Sequence, residues 1–63
     1  MDFLEGDIIK DNKDKKYIIV YIDKEVKKIH LVEVDKFLTE KKFETTMVDF
    51  EDIEKYVKTT IDK

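Results

Sequence analysis

The longest unbroken apolar run in the chain covers residues 17–22, and all of its side chains are β-branched or aromatic. Such side chains pack well on a pleated sheet and lose freedom in a helix. The run therefore predicts a central β-strand with two apolar faces. One face carries Tyr17, Ile19 and Tyr21, and the other carries Ile18, Val20 and Ile22. Both faces need cover, which other strands can supply on one side and a loop, a helix or a partner on the other.

The segments that flank this run predict a first strand and two turns. Gly6 stands just before an apolar pair at residues 8 and 9, where it permits a tight entry into a first strand. Residues 11–16 are all polar and include Asp and Asn, which favour turns, so they predict a loop. The charged residues 23–25 predict a second turn that folds the chain back as a hairpin.

A third strand is predicted at residues 26–34, where apolar and polar positions alternate with a change of phase. A phase change within one strand indicates a bulge or a sharp bend, which we place near Leu31 and Val32. Residues 35–42 fit either an extended strand or a short helical turn, and no Gly or Asn marks a reversal. We interpret them as an extended arm that ends in a turn at residues 39–42.

The last third of the chain predicts a strand, a helical turn and a brief final strand. Residues 43–48 alternate as a strand does. Residues 49–57 change to helical spacing, with Asp49 as a candidate N-cap and further acidic residues at the positive end of the helix dipole. This indicates a short helix or a 3₁₀ turn. Alternation then returns at Val57, Thr59 and Ile61.

Composition strengthens the preference for sheet and limits the size of the core. The chain contains no Ala, the best helix former, and no Ser, Gln, Arg, Pro, Cys or Trp. Its 63 residues form a single domain, 1–63, with a small core and neither a disulfide framework nor a zinc cluster. The 13 Lys against 16 acidic residues give a net charge of -3, which disfavours a dedicated nucleic-acid binder. The predominance of Lys and Ile is typical of an AT-rich genome.

Three stretches of the chain resemble the small SH3-like barrel modules of bacteria and phages. They are the opening with Phe3, Gly6, Asp7 and Ile9, the strand at 17–20, and the acidic and apolar segment at 50–54. The resemblance implies a mainly β fold, a small SH3-like five-stranded barrel with one short helix or 3₁₀ turn before the last strand. It also implies that the Gly-Asp pair opens the first strand and that the helical turn plugs one end of the barrel. Such folds host many unrelated activities.

Catalysis and metal binding find little support in the residue types present. His30 is the single imidazole, and without Ser or Cys in the chain a triad built on either nucleophile is excluded. We therefore expect a partly exposed strand residue at His30. The acidic residues in the segment 49–54 could suggest a calcium loop, but the segment lacks the Gly that such a loop needs for its sharp turn. Helix capping explains the acidic residues instead. The sequence predicts no enzyme, no metal and no cofactor.

Two sets of residues are candidates for binding a protein partner. The first is the face with Tyr17, Ile19 and Tyr21, since Tyr is favoured at interfaces, although the same residues could be ordinary core. The second is an acidic patch that would meet a basic surface. Its members are Asp49, Glu51, Asp52 and Glu54, together with Glu40 and Glu44.

An alternative set consists of three lysine pairs, each followed by an apolar or aromatic residue. The pairs are Lys15 with Lys16, Lys27 with Lys28, and Lys41 with Lys42. If they converge, they could hold phosphates beside rings on which bases stack, as in a KOW-like module that binds nucleic acid without sequence specificity. Lysines at strand edges also prevent aggregation between edges.

Taken together, the sequence predicts a non-catalytic module that occupies the surface of a host protein, as a regulator or inhibitor encoded by a phage or mobile element. The N-terminus has no secretory pattern and no run approaches the length of a membrane span, so we expect a cytoplasmic protein. The KOW-like module is the alternative, and a homodimer formed through an edge strand is a further one.

Overall fold

A computed structural model describes residues 2–60 as one antiparallel sheet with a short helix and a 3₁₀ turn. The elements in chain order are β1 (Ile8–Lys10), β2 (Lys16–Asp23), β3 (Lys28–Glu33), α1 (Val34–Glu40), β4 (Thr45–Asp49), the 3₁₀ turn (Asp52–Lys55) and β5 (Val57–Lys58). The spatial order of the strands is β4-β3-β2-β1-β5. The prediction of a mainly β fold is confirmed. The sheet is not closed into a barrel, since β4 and β5 lie at its two edges.

The turn before β1 is held by Gly6 and Asp7. Gly6 has a φ of +94°, a conformation that residues with a Cβ rarely adopt. The Asp7 carboxylate accepts a hydrogen bond of 2.8 Å from the backbone N–H of Leu4. The N–H of Gly6 donates to the carbonyl of Ile19, and the N–H of Ile19 donates to the carbonyl of Asp7. The Gly-Asp pair therefore ties the N-terminal segment to the middle of β2.

The predicted hairpin between β2 and β3 is present, and Asp23 organises its turn. The Asp23 carboxylate accepts hydrogen bonds from the backbone N–H groups of Glu25 (3.1 Å) and Val26 (3.3 Å). Lys27 then takes a positive φ of 58° before β3 begins. An Asp at the start of a turn commonly bonds the backbone in this way, which explains why the charged residues end β2.

The bulge lies in β2 and not in β3, so the predicted position near Leu31 and Val32 is wrong. Ile19 pairs with Leu31 and Tyr21 pairs with His30, which leaves Val20 as the extra residue. β3 itself contains no bulge, since it pairs with β4 without a shift in register. The change of phase in β2 puts Ile19 and Ile22 on the same face, although three positions separate them.

The inner face of the sheet carries the core. Its fully buried members are Ile9, Ile19, Ile29 and Leu31 on the strands and Ile53 on the 3₁₀ turn. Around them pack the partly buried side chains Phe3, Tyr17, Ile22, Val48, Phe50 and Tyr56. The opposite side of the sheet, the outer face, carries Ile8, Ile18 and Val32 in register.

The interpretation of residues 35–42 as an extended arm is wrong, because α1 occupies most of that range. Val34, Phe37 and Leu38 have the i, i+3, i+4 spacing of a helix face, and the burial of Val34 anchors that face to the sheet. Lys41, the residue after the helix, takes a left-handed conformation with a φ of 55° and so ends the helix. Asp49 is the last residue of β4 and does not cap the 3₁₀ turn. The predicted strand position of Ile61 lies outside the described residues.

Candidate functional site

An open groove on the outer face of the sheet, with a volume of about 360 Å³, is lined only by apolar side chains. We call it the apolar groove. The strands supply Ile8, Ile18, Val20 and Val32, and the helix with the segment after it supplies Val34, Phe37, Leu38 and Phe43. No lining side chain can transfer a proton or hold an ion, so what the groove offers to a ligand is apolar surface.

The floor of the groove is set by strand register. Ile8 lies opposite Ile18, and Ile18 lies opposite Val32, so one row of apolar side chains crosses three neighbouring strands. Side chains directly opposite each other on one face are in contact range. Val32 and Val34 are buried at the bottom of the groove.

One wall of the groove is formed by α1 and the segment that follows it. The rings of Phe37 and Phe43 meet edge to face, with centroids 5.7 Å apart. These two rings and Leu38 remain 46%, 63% and 58% exposed, respectively. Thr39 Oγ1 donates a hydrogen bond of 2.6 Å to the carbonyl of Asp35, one turn earlier in α1. Large apolar side chains with this exposure, gathered beside a buried floor, mark the groove as a binding-surface candidate.

The predicted face with Tyr17, Ile19 and Tyr21 does not exist as one surface. Ile19 is 1% exposed and belongs to the core, and Tyr17 is half-buried against Tyr56, with ring centroids 5.8 Å apart. The bulge turns Tyr21 to the outer face, where it is 51% exposed and its ring lies 5.5 Å from that of His30. His30 is partly exposed on β3, as expected. Of the three residues, Tyr21 alone presents most of its side chain to solvent.

The acidic candidates fall into two groups at opposite ends of β4. Glu51, Asp52 and Glu54 are exposed on and before the 3₁₀ turn, where Asp52 pairs with Lys55 at 3.6 Å. Glu40 and Glu44 lie before the start of β4, roughly 20 Å from the first group at about 3.3 Å per strand residue. The structure therefore brings the first three together and leaves the other two apart.

The lysine pairs lie at separate places in the sheet. Lys15 and Lys16 stand at the start of β2, whereas Lys28 lies opposite Asp23 at the other end of that strand. The length of β2 separates these two pairs by roughly 20 Å. Lys27 and Lys28 belong to the hairpin, and Lys28 forms an ion pair with Asp49. Lys41 and Lys42 follow α1, and Lys42 Nζ lies 4.0 Å from Glu40 Oε1. The first two pairs do not converge on one phosphate-binding surface.

Tyr17 and Asp11 form a polar contact beside Tyr56, on the face of the sheet opposite the groove. The Tyr17 hydroxyl donates to Asp11 Oδ2 at 3.3 Å. Burial, followed by the charge of Asp11, raises the pKa of Tyr17 from 10.0 to about 12. Burial alone would raise the pKa of Asp11 as well, but hydrogen bonds from the backbone N–H groups of Lys13 and Lys15 outweigh it, and the pKa is lowered.

The raised pKa of Tyr17 predicts a loss of stability in alkaline solution. The unfolded chain loses the Tyr17 proton near pH 10, whereas the folded protein keeps it until about pH 12. The free energy of unfolding therefore falls as the pH rises between these values. We expect Tyr17→Phe to flatten this dependence, measured by urea denaturation at a series of alkaline pH values. Asp11→Asn should give an intermediate slope, and a Tyr17→Phe slope equal to that of the wild type would contradict the assignment.

Sequence reasoning missed Phe37, Leu38 and Phe43 as site residues. A signal was present, since Val34, Phe37 and Leu38 have helical spacing and the central strand at 17–22 is apolar on both faces. That combination predicts a helix placed against the outer face of the sheet. The choice of an extended arm for this segment concealed it.

Neither a metal site nor a family assigns a role to the groove. Within residues 2–60 no three His, Asp or Glu side chains are grouped to hold a metal ion. No helix in the same range has the length and apolar character needed to cross a membrane. Comparison with protein-family models, with curated proteins and with solved structures finds no match.

Proposed function

We propose that this protein is a non-catalytic module that binds another protein through the apolar groove. The observation that carries the proposal is that Phe37, Leu38 and Phe43, which form one wall of the groove, are about half exposed. They lie beside the buried Val32 and Val34 at the bottom of the groove. A monomer gains nothing from leaving these three side chains together in water. A partner that covers them removes apolar surface from solvent on both molecules.

The three exposed wall residues alone provide too little free energy for micromolar binding. Covering the exposed half of a Phe or Leu side chain contributes on the order of 1 kcal/mol, so the three wall residues together contribute about 3 kcal/mol. Micromolar binding needs roughly 8 kcal/mol. The partner must therefore insert apolar side chains of its own. A short amphipathic helix fits this requirement, because its i, i+3 and i+4 positions place apolar side chains in a row.

The proposal includes an SH3-like arrangement of the sheet and a regulatory role. Support for the arrangement comes from the turn at Gly6 and Asp7 before β1, and from Ile53 of the 3₁₀ turn, which is buried in the core just before β5. Support for a regulator or inhibitor encoded by a phage or mobile element comes from the AT-rich type of composition, which is rich in Lys and Ile and contains no Arg.

The groove is tested by capture of partners on the immobilised chain, with Leu38→Glu compared with Val26→Glu. Both positions are exposed and apolar, but Val26 lies in the turn between β2 and β3, away from the groove. We expect a protein from a low-GC bacterial lysate to bind the wild type and Val26→Glu. Leu38→Glu should weaken binding tenfold or more, because a carboxylate in the groove must be desolvated. Affinity is then measured with the purified partner.

Three other outcomes, one of which uses a further variant in the same capture experiment, would overturn the proposal. Equal binding by all three chains excludes the groove. Loss of binding only when Glu51, Asp52 and Glu54 are all replaced by Lys assigns the interface to the acidic residues. If the bound material is nucleic acid, and its affinity falls steeply as salt increases, the KOW-like alternative with the lysine pairs replaces the proposal.

A further inference from the structure

The outward edge of β4 is open along the whole strand. β4 pairs with β3 on one side, and no described segment pairs with it on the other. The N–H of Phe50 donates to the carbonyl of Lys27, which fixes the phase of the ladder. Because hydrogen-bonded pairs alternate in an antiparallel ladder, Val48 and Thr46 bond to β3. The N–H and C=O groups of Thr45, Met47 and Asp49 therefore point away from the sheet.

This edge lacks the features that usually prevent pairing with another chain. Natural edge strands are protected by Lys, Pro, a bulge or very short length. β4 is five residues long, contains no Lys or Pro and pairs with β3 in unbroken register. Its one charged residue, Asp49, forms an ion pair with Lys28. The opposite edge, β5, is two residues long and carries Lys58.

We propose that two copies of the protein associate by antiparallel pairing of β4 with β4 about a two-fold axis at Met47. In this register Met47 lies opposite the same residue of the second copy, and Thr45 lies opposite Asp49. All three outward-pointing residues then meet outward-pointing residues, which gives about six backbone hydrogen bonds between the copies. A two-fold interface requires this self-complementarity, since each residue contact must occur twice.

Side chains and charges fit the same register. Met47 is 62% exposed on the outer face, and pairing places the two methionine side chains next to each other. The two Asp49 carboxylates fall at opposite ends of the new ladder, roughly 13 Å apart. That separation exceeds the screening length of about 8 Å at physiological salt, so their repulsion is small. The second copy is therefore the occupant that this edge fits.

The dimer is tested by placing charged side chains at Met47, on the proposed two-fold axis. Met47→Lys and Met47→Glu each place like charges opposite each other in a symmetric dimer, and an equimolar mixture places opposite charges there. By sedimentation from micromolar to millimolar concentration, we expect the wild type to rise from 7.6 kDa to twice that mass. Each charged variant alone should stay at the monomer mass. The mixture should recover the dimer with at least a tenfold lower dissociation constant than either variant.

Controls keep the result specific to β4. Val57→Lys, on the opposite edge, and Leu38→Glu, in the groove, should dimerise like the wild type, so a failure of the groove proposal is distinguishable from a failure of this one. In the wild-type dimer the amides of Thr45, Met47 and Asp49 should exchange at least tenfold more slowly than in Met47→Lys. A wild type that stays monomeric at millimolar concentration overturns the proposal. Dimers in both charged variants alone, or no recovery in their mixture, overturn it as well.

Discussion

Replacing Ile19 with alanine is expected to lower the free energy of unfolding by about half of its total value. Ile19 is buried in the core between β1 and β3, where truncation of an isoleucine to alanine costs about 2–5 kcal/mol. A domain of this length has a total stability of roughly 3–9 kcal/mol, by the usual 0.05–0.15 kcal/mol per residue. The substitution therefore removes a large part of it. Urea denaturation followed by circular dichroism measures the loss.

Tyr21→Ala is the matched control, because Tyr21 lies on the same strand two residues later. The bulge at Val20 places the Tyr21 ring on the outer face, where it contacts the ring of His30. We expect its removal to cost about 1 kcal/mol or less. If Tyr21→Ala destabilises the protein as much as Ile19→Ala does, β2 carries no bulge and the two residues share the core.

The strands that could be predicted from the sequence are those whose signal is local. The run at 17–22 is apolar and β-branched throughout, and the polar residues on both sides end it, so β2 was predicted to within one residue at each end. The turn at Asp23 and the change to helical spacing after Asp49 are local signals of the same kind. Each depends on side chains that bond or pack within a few residues along the chain.

The bulge could not be placed from the pattern, because β2 is apolar on both faces. A change of phase is visible only where apolar and polar residues alternate, and residues 17–22 have no polar position to reveal it. The apparent change of phase at 26–34 arises because Leu31 is buried on the inner face and Val32 on the outer face, while Val26 lies in the turn and Val34 in α1. Pairing with β3 decides the register, and pairing is not encoded locally.

The helix was missed because both of its ends lack the usual signals. Glu33 at the N-terminus makes no side-chain capping bond, and the left-handed residue at the C-terminus is Lys41 instead of Gly or Asn. The groove was missed for a different reason. Its floor joins Ile8, Ile18 and Val32 from three strands, so it exists only after the register is known.

Replacing Val34 with aspartate is expected to detach α1 from the sheet while the core stays folded. A helix of seven residues is too short to be stable alone, so packing against the outer face must hold it. Val34 supplies the buried part of that packing, and a carboxylate there would be desolvated without a partner. We expect a loss of about 2–3 kcal/mol. Hydrogen exchange at the amides that close the helix, such as Lys42 to Lys36, should accelerate at least tenfold.

Glu40→Gln, on the exposed side of the same helix, should change stability by less than about 0.5 kcal/mol and leave that exchange unchanged. Amides in β2 and β3 should remain protected in Val34→Asp, because the core on the inner face is intact. Unchanged exchange in α1 would show that the outer face does not hold the helix.

Because α1 provides one wall of the apolar groove, Val34→Asp should also abolish partner binding in a protein that is still folded. Stability of α1 and formation of the binding surface are thus two consequences of the same contact.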